Sequence, residues 1–150
     1  MDDRAAAPVV GKALEIAVLV VFVGLVSAAL FGSVVPAYRT AAGAEVGDRV
    51  IVAAAGQVEH VADAPRSVES RRVGVAVPRT IRGSTYVVRA TEEDGVPALV
   101  LDHPTPEIGG TVALALPARV TAVEGDLHSA EEPTVVVSRE PGGALVVVLE

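Results

Sequence analysis

The chain has 150 residues, no cysteine, and 12 basic against 19 acidic side chains for a formal charge of −7. That excludes a disulfide framework, a thiolate metal site and a thiol nucleophile. From Ala37 onward 10 Arg stand against 16 Asp and Glu, a net of −6, which argues against nucleic acid as a partner because phosphate binding needs a basic surface. Asparagine is absent, and with it every N-x-S/T glycosylation acceptor. One Lys against 11 Arg on an acidic background fits a surface kept soluble in concentrated salt.

Residues 1–15 form a short charged leader. Ile16 to Val35 then reads IAVLVVFVGLVSAALFGSVV, with Ser27 and Ser33 as its only polar side chains. A helix of that length is about 30 Å long, which matches the hydrocarbon core of a bilayer. A buried helix of a small domain carries a polar stripe, and this one has none. A cleaved secretory signal is the competing reading, but its apolar region is shorter, and Val35-Pro36-Ala37 is a poor small-x-small cleavage site. Arg4 and Lys12 precede the span while Arg39 and Arg49 follow it, so the basic residues do not orient it. Tyr38 and Arg39 have the character of an interfacial anchor.

The leader run Asp2-Asp3-Arg4-Ala5-Ala6-Ala7-Pro8-Val9-Val10-Gly11 resembles the class III signal of haloarchaeal type IV pilins. In that family a short charged leader ends just before a (Ser or Ala)-Pro-Val-(Ile or Val)-Gly segment and an apolar helix. The resemblance implies cutting by a prepilin peptidase between Ala5 and Ala6, beside Arg4, on the cytoplasmic face. Residues 1–5 would then be the leader, 6–36 a transmembrane and filament-core helix, and the C-terminal head extracellular. Lys12 and Glu15, three apart on one helix face, pair at the lipid headgroups.

Gly24, Ala28 and Gly32 recur every fourth residue. The spacing fits either a groove through which helices pack closely in lipid or the ordinary frequency of small residues in membrane helices. In residues 37–62, Val46, Val50, Ala54, Val58 and Val61 form a helical apolar stripe. Pro36 is expected to kink the helix where it leaves the membrane, and Gly43, Gly47 and Gly56 weaken the helix by about 1 kcal/mol each relative to Ala.

Residues 63–70 read as a linker, and from there the period changes to two. Strands are expected at Arg72 to Val77, Ser84 to Thr91, Pro97 to Asp102, Gly110 to Leu116, Ala118 to Glu124, Thr134 to Arg139 and Ala144 to Leu149. Turns are expected at Glu92-Glu93-Asp94-Gly95, Pro104 to Gly110, Glu124-Gly125-Asp126 and Pro141-Gly142-Gly143. The apolar run Leu145 to Leu149 belongs in the middle of the sheet, buried on both faces. The expected fold is α+β, a long N-terminal helix followed by an antiparallel sheet or sandwich head over residues 63–150, which is also the pilin layout.

The search for chemistry finds no catalytic, cofactor-binding or metal-binding set. His60, His103 and His128 lack metal-ligand spacing, and Asp102-His103 before Pro104 reads as a solvated turn pair. Glu92-Glu93-Asp94-Gly95 reads as a solvated hairpin turn, since it lacks the alternating oxygen ligands of a calcium loop. The loop Pro78-Arg79-Thr80-Ile81-Arg82-Gly83 either binds an acidic neighbour or balances the head's negative field. The leading expectation is a non-enzymatic structural subunit of an adhesive archaeal surface filament, its partners being membrane lipid, the prepilin peptidase and other pilin subunits or copies of itself. The rival is a single-pass anchored binding or accessory module that does not polymerise.

The charge count generates a direct test. A head of residues 37–150 carrying a net charge of −6 repels itself less when screened, so its thermal midpoint should rise from low to molar salt. An unchanged or lower midpoint in molar salt would remove the argument for a salt-adapted head.

Overall fold

The computed structural model describes residues 6–63 and 69–150, so Arg4, Ala5 and most of the expected linker lie outside the described residues. The chain divides into two compact units, one ending at Arg39 and one comprising Thr40–Glu150. The first is helical: α1 covers Ala6–Ala29, and a five-residue π-helical turn follows at Leu30–Val34. The next helix, α2, covers Val35–Ala62, and its residues from Thr40 onward belong to the second unit.

Pro36 does not end the helix. It lacks an N–H to donate, and its ring crowds the carbonyl four residues back. The chain widens one turn ahead of it: the Val35 N–H bonds to the Leu30 carbonyl, five residues back, and the Ser33 hydroxyl donates to the Ala29 carbonyl at 2.8 Å. Pro36 is then the second residue of α2, directly after the π-helical turn. The disturbance expected at this proline therefore takes the form of a π-helical turn.

In the second unit α2 turns one face inward. Gly43, Gly47, Val50, Ile51, Ala54, Ala55, Val58, Val61 and Ala62 are buried. The stripe read from the sequence holds from Val50 to Val61, but Val46 is 39% exposed. Glycines replace it at the start of the face because the chain approaches too closely for a side chain. A Cβ on Gly47 would stand 2.4 Å from the Ile108 carbonyl oxygen, and one on Gly43 would stand 2.7 Å from Cδ of Arg82. Arg119 closes the helix by donating to the Ala62 carbonyl at 3.2 Å and pairing with Asp63 at 3.1 Å, where cationic charge suits the C-terminal carbonyls.

Seven strands follow: β1 Ser70–Gly74, β2 Val87–Glu93, β3 Val96–Asp102, β4 Gly110–Ala113, β5 Val120–His128, β6 Thr134–Arg139 and β7 Leu145–Leu149. They form one sheet in the order β1-β6-β7-β5-β2-β3-β4. The α+β class stands, while the antiparallel sheet or sandwich is corrected to a single mixed sheet. β5 and β7 are parallel, and every other pair is antiparallel. The reason is topological: β6 and β7 form a hairpin, and β7, the strand two reversals after β5, takes the place beside β5. Turning the same hairpin over would have put β6 there and made the pairing antiparallel.

β7 is interior, as its apolar run implies, yet only Leu145, Val147 and Leu149 are fully buried while Val146 and Val148 on the other face are half-buried. The core is one cluster in which the α2 face meets Leu99, Leu101, Leu127, Val135, Val137, Leu145, Val147 and Leu149 of the sheet. The two-residue turn between β2 and β3 places Asp94 at φ 52° and Gly95 at φ 80°, the paired positive values a tight hairpin requires.

The expected turn at Glu124-Gly125-Asp126 is a bend inside β5. Val120 to Gly125 pair with β7, and Asp126 to His128 pair with β2. Gly125 has φ 91°, and a Cβ there would stand 2.2 Å from the Leu149 carbonyl oxygen. Strain at positive φ and the forced displacement of β7 together make Gly125→Ala destabilising by about 2 to 5 kcal/mol. Gly142, at φ 130° with open space around it, is the control. Its alanine variant should lose clearly less stability in denaturant unfolding, and equal losses would remove the special role of Gly125.

Candidate functional site

Among the described residues of the first unit no side chain is buried. From Val10 to Val34 the large apolar side chains, among them Leu14, Leu19, Phe22, Leu25 and Phe31, are exposed around the helix. This helix is long and apolar enough to cross a membrane. The thirteen Val, Leu, Ile and Phe residues between Ile16 and Val35 favour insertion by about 4 to 8 kcal/mol on a per-residue insertion scale. Ser33 adds no unpaired hydroxyl, since it bonds back to Ala29.

Gly24 and Gly32 have open space where a side chain would stand, and Ala28 is exposed between them. Lys12 and Glu15 form the expected pair at 3.4 Å with both side chains exposed. Tyr38 is 75% exposed and Arg39 is exposed beside it. Ala6 is the first residue of α1.

The head gathers its polar side chains into internal anchors. Arg79 donates to the Ala130 carbonyl, and Arg82 donates to the Thr40 hydroxyl at 2.9 Å. Between them Ile81 is buried in the core, and Arg82 and Gly83 make a tight turn at φ 53° and 81°. The arginine loop is thus held by its own fold. The Tyr86 hydroxyl donates to the Pro78 carbonyl at 2.6 Å, and the Ser129 hydroxyl accepts the Tyr86 N–H at 2.9 Å.

His103 is 5% exposed, a correction to the solvated pair expected at Asp102-His103. The Thr105 N–H donates to its Nδ1 at 2.9 Å, so Nε2 carries the proton and donates to the Ile81 carbonyl at 3.0 Å. Asp102 points the other way, to an ion pair with Arg89 at 2.8 Å. His60 and His128 are exposed, and among the described residues no group of three His, Asp or Glu side chains converges on a metal-sized point.

The model of a family described as a family of unknown function, DUF7266, matches residues 1–150, taking in the helix and the whole head. The chain belongs to the DUF7266 family. No curated protein and no solved structure matches it.

In this DUF7266 chain the residues that the sequence reading undervalued are His103, Tyr86 and the Pro78–Gly83 loop. A signal for His103 was present. Leu99, Leu101 and His103 alternate with Val100 and Asp102, and extending the period-two face of β3 by one step puts His103 inward. Nothing local announces that the Ile81 carbonyl needs a donor, because its partner lies 22 residues away.

Burial pushes the Tyr86 phenol from 10.0 up to about 12. The folded state therefore holds a proton that the unfolded chain releases first. The stability this contributes is full below about pH 10 and falls as pH rises toward about 12. Tyr86→Phe should cost about 1 to 3 kcal/mol at neutral pH by leaving the Pro78 carbonyl without its donor. Its deficit relative to the parent should shrink across that alkaline window in denaturant titrations. A deficit independent of pH would show that the phenol's ionisation is not linked to folding.

Proposed function

We propose that this chain is a type IV pilin-like structural subunit, anchored in the membrane by its apolar helix before assembly and packed into a surface filament through the same helix afterwards. The observation that carries the reading is the contrast between the two units. The head from Thr40 onward closes its own core, while the helix from Val10 to Val34 presents exposed apolar side chains on all sides. Such a helix needs lipid or other helices as its solvent, and a filament core supplies the second after the membrane has supplied the first. Gly24, Ala28 and Gly32 would let neighbouring helices approach, and the leader resemblance supplies the processing step. The head would face the cell exterior and make the adhesive contacts.

A pilin, a secreted protein and a plain anchor differ in where the chain is cut, and that difference is the test. A pilin precursor is cut ahead of its helix and keeps it, a secretory precursor is cut behind and loses it, and a plain anchor is not cut. Mass spectrometry of the protein from its own membranes should find an N-terminus at Ala6, and Arg4→Glu should cause the uncut chain to accumulate. Filaments imaged from cells with this chain should be lost or altered in cells without it. Recovery of only the intact leader from cells with an active prepilin peptidase would replace the filament reading with the single-pass accessory module.

A further inference from the structure

β2 and β5 start as neighbours and then part. They pair at Val87 with His128, Val88 with Leu127 and Arg89 with Asp126, and there the pairing ends although both strands continue. β2 runs on to Glu93 bound only to β3, and the preceding part of β5, Val120 to Gly125, is bound only to β7. The backbone turn at Gly125, φ 91°, sends β5 away from β2.

Between the parted strands lies a wedge of about 310 Å3, with Thr91 and Glu92 on one side and Thr121, Val123 and Glu124 on the other. The Ser129 N–H bonds to the Tyr86 carbonyl at 3.1 Å, on the β5 side of the strand. Antiparallel backbone groups alternate in direction, so those of Ala90 and Glu92 point the same way; the Arg89–Asp126 pairing engages the Ala90 N–H at the apex, and Glu92 is the residue whose N–H and carbonyl face the wedge. Sheet edges that face a gap are templates for an added strand. This gap has an edge on each wall.

The lining also selects a charge. Glu92 and Glu124 are exposed carboxylates on opposite walls, and no basic side chain lines the wedge. Arg89, the nearest arginine along β2, is committed to Asp102 at 2.8 Å. An incoming strand would thus meet hydrogen-bonding groups from two edges and negative charge from two sides.

We propose that the wedge between β2 and β5 binds an extended peptide segment bearing basic side chains, which adds to the sheet by main-chain hydrogen bonds and pairs with Glu92 and Glu124. Three residues, Thr91 to Glu93, offer an edge about 10 Å long at strand spacing, room for a short segment and not for a folded domain. The site is independent of whether the chain polymerises.

The test uses the full chain in lipid nanodiscs and three fluorescein-labelled hexapeptides: Thr-Val-Arg-Val-Arg-Thr, the same peptide with Glu for Arg, and the Arg peptide with a central Val replaced by Pro. The Arg peptide should bind saturably in fluorescence anisotropy, and its amide-exchange footprint should fall on Glu92. The Glu peptide and the Pro peptide should each bind about tenfold more weakly or not at all, the first by like charge and the second by a lost strand N–H. The double variant Glu92→Lys with Glu124→Lys changes exposed residues only, and its unchanged melting temperature confirms folding. It should weaken the Arg peptide about tenfold or more. Failure of the Arg peptide to bind, or binding indifferent to the charge reversal, overturns the proposal. Equal binding of the Pro and Arg peptides reduces the contact to charge attraction and overturns strand addition.

Discussion

The packing of one face of α2 against the sheet is the contact on which the head depends. Val50, Ile51, Val58 and Val61 are each at most 4% exposed. Burying four such side chains is worth about 6 to 12 kcal/mol as an upper estimate, comparable with the whole stability of a small domain. A bent seven-stranded sheet whose inner residues are Leu99, Leu101, Leu127, Val135 and Val147 would otherwise turn that face to water. The helix is therefore as much a part of the head as any strand, although its first residues belong to the other unit. The same sequence element changes its solvent along its length: apolar on all sides ahead of Pro36, then one-sided from Gly43 on.

Three glycines make that packing geometrically possible. Gly43 and Gly47 are poor helix formers, yet they let the Ile108 segment and the Arg82 side chain lie against the helix where any Cβ would collide. The propensity cost of about 1 kcal/mol each is set against burying Ile108, which is 1% exposed. Gly125 does the corresponding work in the sheet. By bending β5 it lets one nine-residue strand serve β7 with its first part and β2 with its last. The bend opens the wedge between β2 and β5.

The polar interior is small and closed. His103, the Ile81 carbonyl, the Thr105 amide, the Tyr86 hydroxyl and the Pro78 carbonyl satisfy one another in pairs. Buried polar groups left without partners cost about 1 to 3 kcal/mol each, so this set fixes where the Pro78–Gly83 loop sits. A loop that looks basic and available in the sequence is tied down at Arg79, Ile81 and Arg82. Its two arginines are exposed, and each donates one hydrogen bond within the chain.

The sequence by itself determined the elements. A twenty-residue apolar run has only the helix as a way to satisfy its backbone in lipid, and period-two runs between turn residues located all seven strands to within a few residues. Strand ends were less legible. β5 begins at Val120 and passes through Gly125, where local turn chemistry marked a stop, because a positive-φ glycine serves a turn and a strand bend equally well. What only the tertiary structure decided is every long-range pairing: the parallel neighbours β5 and β7, the bond from His103 to the Ile81 carbonyl, and the exposure of Val46 beside the buried Gly47. Each depends on which distant segment occupies the adjacent space, and the identity of a residue constrains its own backbone and burial but carries no record of the neighbour that arrives from 20 or more residues away.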